Sequence, residues 1–110
     1  MRRGSELPTQ VGFMVDAGTV FAVVRGELDF ATNHRLHPAI AEATSRRLDL
    51  AVDLRDVPFM DSHTAKLFAR TAEDLRLCGR TLRIIDAQPV VQRLLVILAL
   101  DYLLADAQRR

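Results

Sequence analysis

Cysteine, tryptophan and any excess of charge are scarce in this chain, and each scarcity excludes something. Its one cysteine, Cys78, has no partner among the 110 residues. That excludes a disulfide framework and fits a reducing compartment, with a buried, inert thiol as the expected state. Lys and Arg number 15 against 14 Asp and Glu, for a net charge of +1, and the basic residues are scattered. The electrostatic footprint of a nucleic-acid or anionic-membrane binder is missing, so neither partner is expected. Long apolar runs are also absent. The strongest, Leu94 to Leu104, is interrupted by Asp101 and falls far short of the roughly 20 residues a membrane span requires. Met1 to Gln10 offers Arg2 and Arg3 but no apolar stretch for a signal peptide. Residues 1–9 read as a loose polar tail, residues 106–110 as a second one, and the cytoplasm as the expected location.

What is present is a chain of 49% hydrophobic residues, enough for one soluble domain that buries roughly two thirds of its unfolded surface. Val11 to Asp16 and Thr19 to Arg25 flank Ala17-Gly18 and predict a β-hairpin, because Gly supplies the positive φ of a tight turn. Both alternating sets of the second strand are apolar, which suits a strand covered on both faces or central in a sheet. From Thr32 a helical period follows through Leu36, Ala39, Ile40 and Ala43, with Thr32 or Asn33 able to cap it and Pro38 expected near the first turn. Leu48 to Leu54 alternates as a strand with one dry face. A second helix is expected from Ser62 to about Cys78, with Phe68, Ala72, Leu75 and Cys78 inward and Gly79 as its stop. Thr81 to Ile85 makes a short strand, and Gln88 to Leu100 a third helix opened by Pro89. The order ββαβαβα implies an α/β fold with parallel crossovers and the first two helices on one face.

Few residues suggest chemistry. His34 and His37 lie three apart on a helix, a spacing that could direct two imidazoles at one ion, but no third ligand stands nearby in sequence, so no metal is expected. Asp61, Ser62 and His63 hold the side-chain types of a catalytic triad, yet triad members converge from separate segments and adjacent residues at a helix start diverge. No nucleophile elbow, P-loop or dinucleotide fingerprint occurs. Neither an enzyme nor a cofactor is expected. Read alone, Asp61-Ser62 is a helix N-cap.

The surroundings of that dipeptide add a resemblance. Val52-Asp53-Leu54-Arg55-Asp56-Val57-Pro58-Phe59-Met60-Asp61-Ser62 resembles the signature of the STAS domains of bacterial anti-sigma-factor antagonists. Gly26-Glu27-Leu28-Asp29 with Phe30-Ala31-Thr32 looks like the GELD-x-A-T segment of the same family. Gly79-Arg80-Thr81-Leu82-Arg83-Ile84-Ile85 and Pro89-Val90-Val91-Gln92-Arg93-Leu94-Leu95 are similar to its G-x-x-L-x-L strand and P-x-V-x-R-x-L helix, so the likeness runs over residues 10–105. It implies the STAS fold, a four-stranded, mostly parallel mixed sheet with an N-terminal hairpin and helices mainly on one face.

The resemblance further implies a binding module switched by phosphorylation. Its partner would be an anti-sigma factor with Ser/Thr kinase activity, its phosphoacceptor Ser62 (second candidate Thr64), and its reactivating enzyme a PP2C-like phosphatase. The implied partner surface comprises Gly26, Glu27, Asp29, Asp61, Ser62, His63, Thr64 and Lys66. The chain departs from the family pattern at His63, Thr64, Ala65 and Lys66, where small residues and glycine are common, and at Ala99, where the family commonly has Gly. A competing expectation is an unswitched STAS module that pairs with itself, as a homodimer, or with other STAS proteins. It rests on Val90 to Leu104, whose helix keeps little polar face.

Overall fold

The computed structural model describes residues 8–105. Strands β1 (Gln10–Asp16) and β2 (Thr19–Arg25) form the expected hairpin. Ala17 and Gly18 both take positive φ, 50° and 81°, the two-residue turn whose twist matches that of the flanking strands. Strands β3 (Asp49–Asp56) and β4 (Leu82–Ile85) follow in parallel, giving the sheet order β1-β2-β3-β4 with only the β1–β2 pair antiparallel. Helices α1 (His37–Arg46) and α2 (Ser62–Arg76) make the two crossovers in the same direction along the sheet. Right-handed connection then places both on one face. Under them lies the core, with Val20, Ala22, Val24, Leu50, Val52, Leu54 and Ile84 from the sheet against Ala39, Ala43, Phe68 and Leu75 from the helices. Helix α3 (Pro89–Ile97) adds Val91 and Leu95 to it.

Several expectations need correction. Strand β2 is central, but Phe21 and Val23 remain exposed, so the sheet face away from the helices is open. The first helical segment begins as a 3-10 turn, Asn33–Leu36, and Thr32 makes no side-chain cap bond to it. Pro38, by contrast, sits where expected, in the first turn of α1, where a missing N–H costs no hydrogen bond. Cys78 is exposed, not buried. Helix α2 ends at Arg76, and Gly79 at φ 77° lets the Arg80 amide donate to the Leu75 carbonyl at 2.8 Å, so the inward-facing period stops before Cys78. Helix α3 stops at Ile97 instead of Leu100, because Ala99 turns to φ 58° and the Leu100 amide closes on the Leu95 carbonyl at 2.7 Å. A 3-10 turn at Asp101–Leu103 then brings Leu104 alongside Ile84 of β4.

At the other end of the chain, Thr9 is only 6% exposed and its hydroxyl donates to the Glu27 carbonyl at 2.7 Å. The folded unit thus includes Thr9, one residue more than the expected domain start at residue 10. The rest of that tail up to Leu7, and residues 106–110, lie outside the described residues. Among the described residues no helix is long and apolar enough to cross a membrane.

Candidate partner-binding site

Parallel strands deliver their following loops to a common edge, and here the loops after β2 and β3 meet. Beyond the last ladder pair they remain joined. Leu28 bridges Met60, the Leu28 amide donates to the Phe59 carbonyl, and the Asp61 amide donates to the Leu28 carbonyl, each at 3.0 Å. Leu28 is fully buried beneath this junction. Gly26 opens the first loop at φ 107°, and a Cβ there would lie 3.1 Å from Thr9 Cα. Backbone conformation and close approach both call for glycine.

Asp29 shapes the same loop from within. Its Oδ1 accepts from the amides of Ala31 at 2.9 Å and Thr32 at 3.0 Å. Thr32 donates its hydroxyl to the Glu27 carbonyl at 2.9 Å, the oxygen that also holds Thr9. Glu27 and Asp29 are accordingly half-buried and serve the loop's geometry.

Asp61 ties this loop to α2. As N-cap it accepts from the Thr64 amide on Oδ1 at 2.8 Å, as the sequence predicted. Its other oxygen accepts from the Phe30 amide at 2.9 Å, a bond 31 residues away in sequence. Partial burial pushes the Asp61 carboxyl upward, but the Thr64 amide and hydroxyl and the Phe30 amide outweigh it. With His63 nearby, the group is held below the usual aspartate range.

Ser62 occupies the first position of α2 and is exposed. His63 follows, also exposed, with its ring edge-on to Phe30 at 5.9 Å and its Nδ1 3.4 Å from Asn33 Nδ2. Lys66, four residues after Ser62, projects from the same side of the helix. Thr64 departs from expectation. It is 0% exposed and its Oγ1 accepts from Asn33 Nδ2 at 3.3 Å. Its hydroxyl faces the interior, so it forms no part of the surface and Ser62 is the exposed hydroxyl of this turn.

His34 and His37 are both exposed, and no metal-ligating cluster occurs among the described residues. Asp61, Ser62 and His63 do not assemble as a triad, since Asp61 is turned back to the Thr64 and Phe30 amides and His63 toward Asn33. Sequence reasoning missed Phe30, Phe59 and Asn33. Phe30 is 73% exposed on the first of the joined loops and Phe59 is exposed on the second. An aromatic residue in a polar loop was the available signal for the first two, whereas Asn33 gave none.

The comparisons with known proteins agree with this geometry. The STAS domain family model matches residues 14–106. No curated protein matches the sequence at a significant level. Among solved structures, an anti-sigma factor antagonist from Mycobacterium paratuberculosis superposes with a TM-score of 0.76 at 23% identity, covering 96% of this chain and 88% of its own. The Bacillus cell fate determinant SpoIIAA in its phosphorylated form gives 0.66 at 20% identity, covering 93% and 99%. The anti-sigma factor antagonist SpoIIAA in its unphosphorylated form gives 0.67 at 22%, covering 87% and 84%. With a family match across nearly the whole described fold and the joined β2 and β3 loops the fold requires, the chain belongs to the STAS-domain family.

Proposed function

We propose that this protein is a cytoplasmic, non-enzymatic anti-sigma-factor antagonist. In its unmodified form it binds an anti-sigma factor that is also a Ser/Thr kinase, and so releases a sigma factor. Phosphorylation of Ser62 inactivates it and a PP2C-like phosphatase restores it. The observation that carries this reading is the exposed Ser62 at the first turn of α2, set directly after a carboxylate that locks the neighbouring loop. The M. paratuberculosis neighbour and SpoIIAA are anti-sigma factor antagonists by name, and SpoIIAA was also determined in a phosphorylated form.

The physics of such a switch suits this position. A phosphoserine brings about −1.5 to −2 charge. At the N-terminus of a helix that charge meets unpaired amide N–H groups and the positive end of the dipole, so the fold accommodates it. A partner shaped to a neutral hydroxyl does not, because the charge beside Asp61 must be desolvated next to another anion. The surface around it carries the exposed rings of Phe30 and Phe59, the kind of side chain that anchors protein interfaces. The test is a titration of the kinase-type anti-sigma factor with wild type, Ser62→Ala and Ser62→Asp. Binding kept by the alanine variant and lost by the aspartate variant is the expected result, and unchanged affinity of Ser62→Asp overturns the reading.

One observation favours a second reading, an unswitched module that associates with itself. Val96 and Ile97 of α3 are exposed, Ile97 by 73%, and Tyr102 stands exposed after them. A concentration-independent monomer mass in light scattering removes it.

A further inference from the structure

The two edges of the sheet are finished differently. Beyond β4 the chain returns, with Leu104 bridging Ile84 in parallel and Leu103 buried, so that edge is covered. Beyond β1, no strand or bridge lies among the described residues. Natural sheets protect such an edge with lysine, proline, a bulge or a very short strand. β1 runs Gln10-Val11-Gly12-Phe13-Met14-Val15-Asp16, without lysine, arginine or proline, and pairs with β2 without a register break.

The hairpin determines which groups face outward. A two-residue turn makes Asp16 and Thr19 a hydrogen-bonded pair, and such pairs alternate along an antiparallel ladder. Met14 and Gly12 therefore spend their amides and carbonyls on β2, while Val11, Phe13 and Val15 direct theirs to the open side. The same three residues point to the helix face, opposite Val24, Ala22 and Val20. Helix α1 packs over β2 and β3, and on that face β1 is met by the short 3-10 turn Asn33–Leu36, which leaves Phe13 40% exposed although it lies on the core side.

We propose that the outer edge of β1 pairs with β1 of a second copy, antiparallel and centred on Phe13. The occupant follows from the strand's own symmetry. Across a two-fold axis normal to the sheet, Phe13 meets Phe13 of the second copy, Val11 meets Val15, and Gln10 meets Asp16. Outward-facing backbone groups meet outward-facing groups, valine packs on valine, and a carboxylate faces an amide instead of another carboxylate. Centring on Gly12 or Met14 shortens the overlap and loses the Gln10–Asp16 pairing. The pair continues the sheet through both molecules and covers Phe13. It involves neither Ser62 nor the exposed residues of α3, so it is independent of the phosphorylation switch, and the Phe13→Lys and Ile97→Glu variants below tell it apart from self-association through α3.

The test uses the full chain in a Cys78→Ser background. Sedimentation should show a monomer–dimer equilibrium with concentration. Residues opposed in a hydrogen-bonded antiparallel pair lie about 5.5 Å apart at Cα, within disulfide range. Phe13→Cys should therefore cross-link two chains under mild oxidation, and Met14→Cys, opposite Gly12, should not. Phe13→Pro removes an outward N–H without touching the β2 ladder and should weaken dimerisation about tenfold or more. Phe13→Lys, checked for native circular dichroism, should do the same. A monomer at every concentration overturns the proposal, as does a dimer that survives Phe13→Lys but is lost in Ile97→Glu.

Discussion

Helices α2 and α3 begin at equivalent places, each following the carboxyl end of a parallel strand, yet their starts are held differently and their ends close on different residue types. Asp61 caps α2 with one carboxylate oxygen and holds the Phe30 amide with the other. At α3 the N-cap is Gln88, whose side chain makes no cap bond and donates instead to the Arg55 carbonyl at 2.8 Å. At the far ends, Gly79 supplies the left-handed residue after α2, whereas Ala99 adopts φ 58° after α3 at a strain that glycine would not carry. Helix α2 is capped by a side chain at its start and presents Ser62 from that capped turn. The other is held mainly by burial of Val91 and Leu95. The contrast shows that local wiring, not topology, distinguishes the site.

The contrast can be broken experimentally, most severely at the two helix starts. Ser62→Asp should cost about 2–5 kcal/mol of affinity for the kinase-type anti-sigma factor, while Pro89→Asp, the corresponding charge on α3, should leave the affinity unchanged in the same titration. Next in size is the cap. Asp61→Ala removes two accepted hydrogen bonds and should destabilise the fold by about 2–3 kcal/mol in urea unfolding. Gln88→Ala should cost less than about 1 kcal/mol.

The helix ends should respond in opposite directions. Ala99→Gly should stabilise, and Gly79→Ala destabilise, by roughly 0.5–1 kcal/mol each in thermal unfolding. A Cβ on Gly79 meets no atom within 4 Å, so the second effect reports backbone strain alone.

The smallest effect is in the acid limb of the stability curve. The folded-state pKa of Asp61 is depressed, so its contribution is present above the ordinary aspartate value and is lost as pH falls through the folded value. Asp61→Asn should flatten that limb relative to wild type while keeping a capping side chain, which unfolding midpoints measured from neutral pH downward will show.

Most of the fold was legible because its signals are short-range. Ala17-Gly18 marked the hairpin, the alternation from Leu48 marked β3, and Asp61 marked the start of α2, each through the conformational demands of a few neighbouring residues. The exceptions share a cause. Cys78 follows the inward period of Leu75 in sequence, but the helix had already ended, and a period has meaning only while the helix lasts. Thr64 reads as one more polar residue in a surface stretch, yet Asn33, 31 residues away, covers it.

The sequence by itself determined the elements, their order and the capped turn that exposes Ser62. Tertiary structure alone decided that Phe30, Asp61 and His63 come together over the buried Asn33 and that, among the described residues, β1 is left with an open edge. The parallel register of β2 and β3 brings two distant loops together at Leu28 and Met60, and no local pattern encodes which side chains then become neighbours.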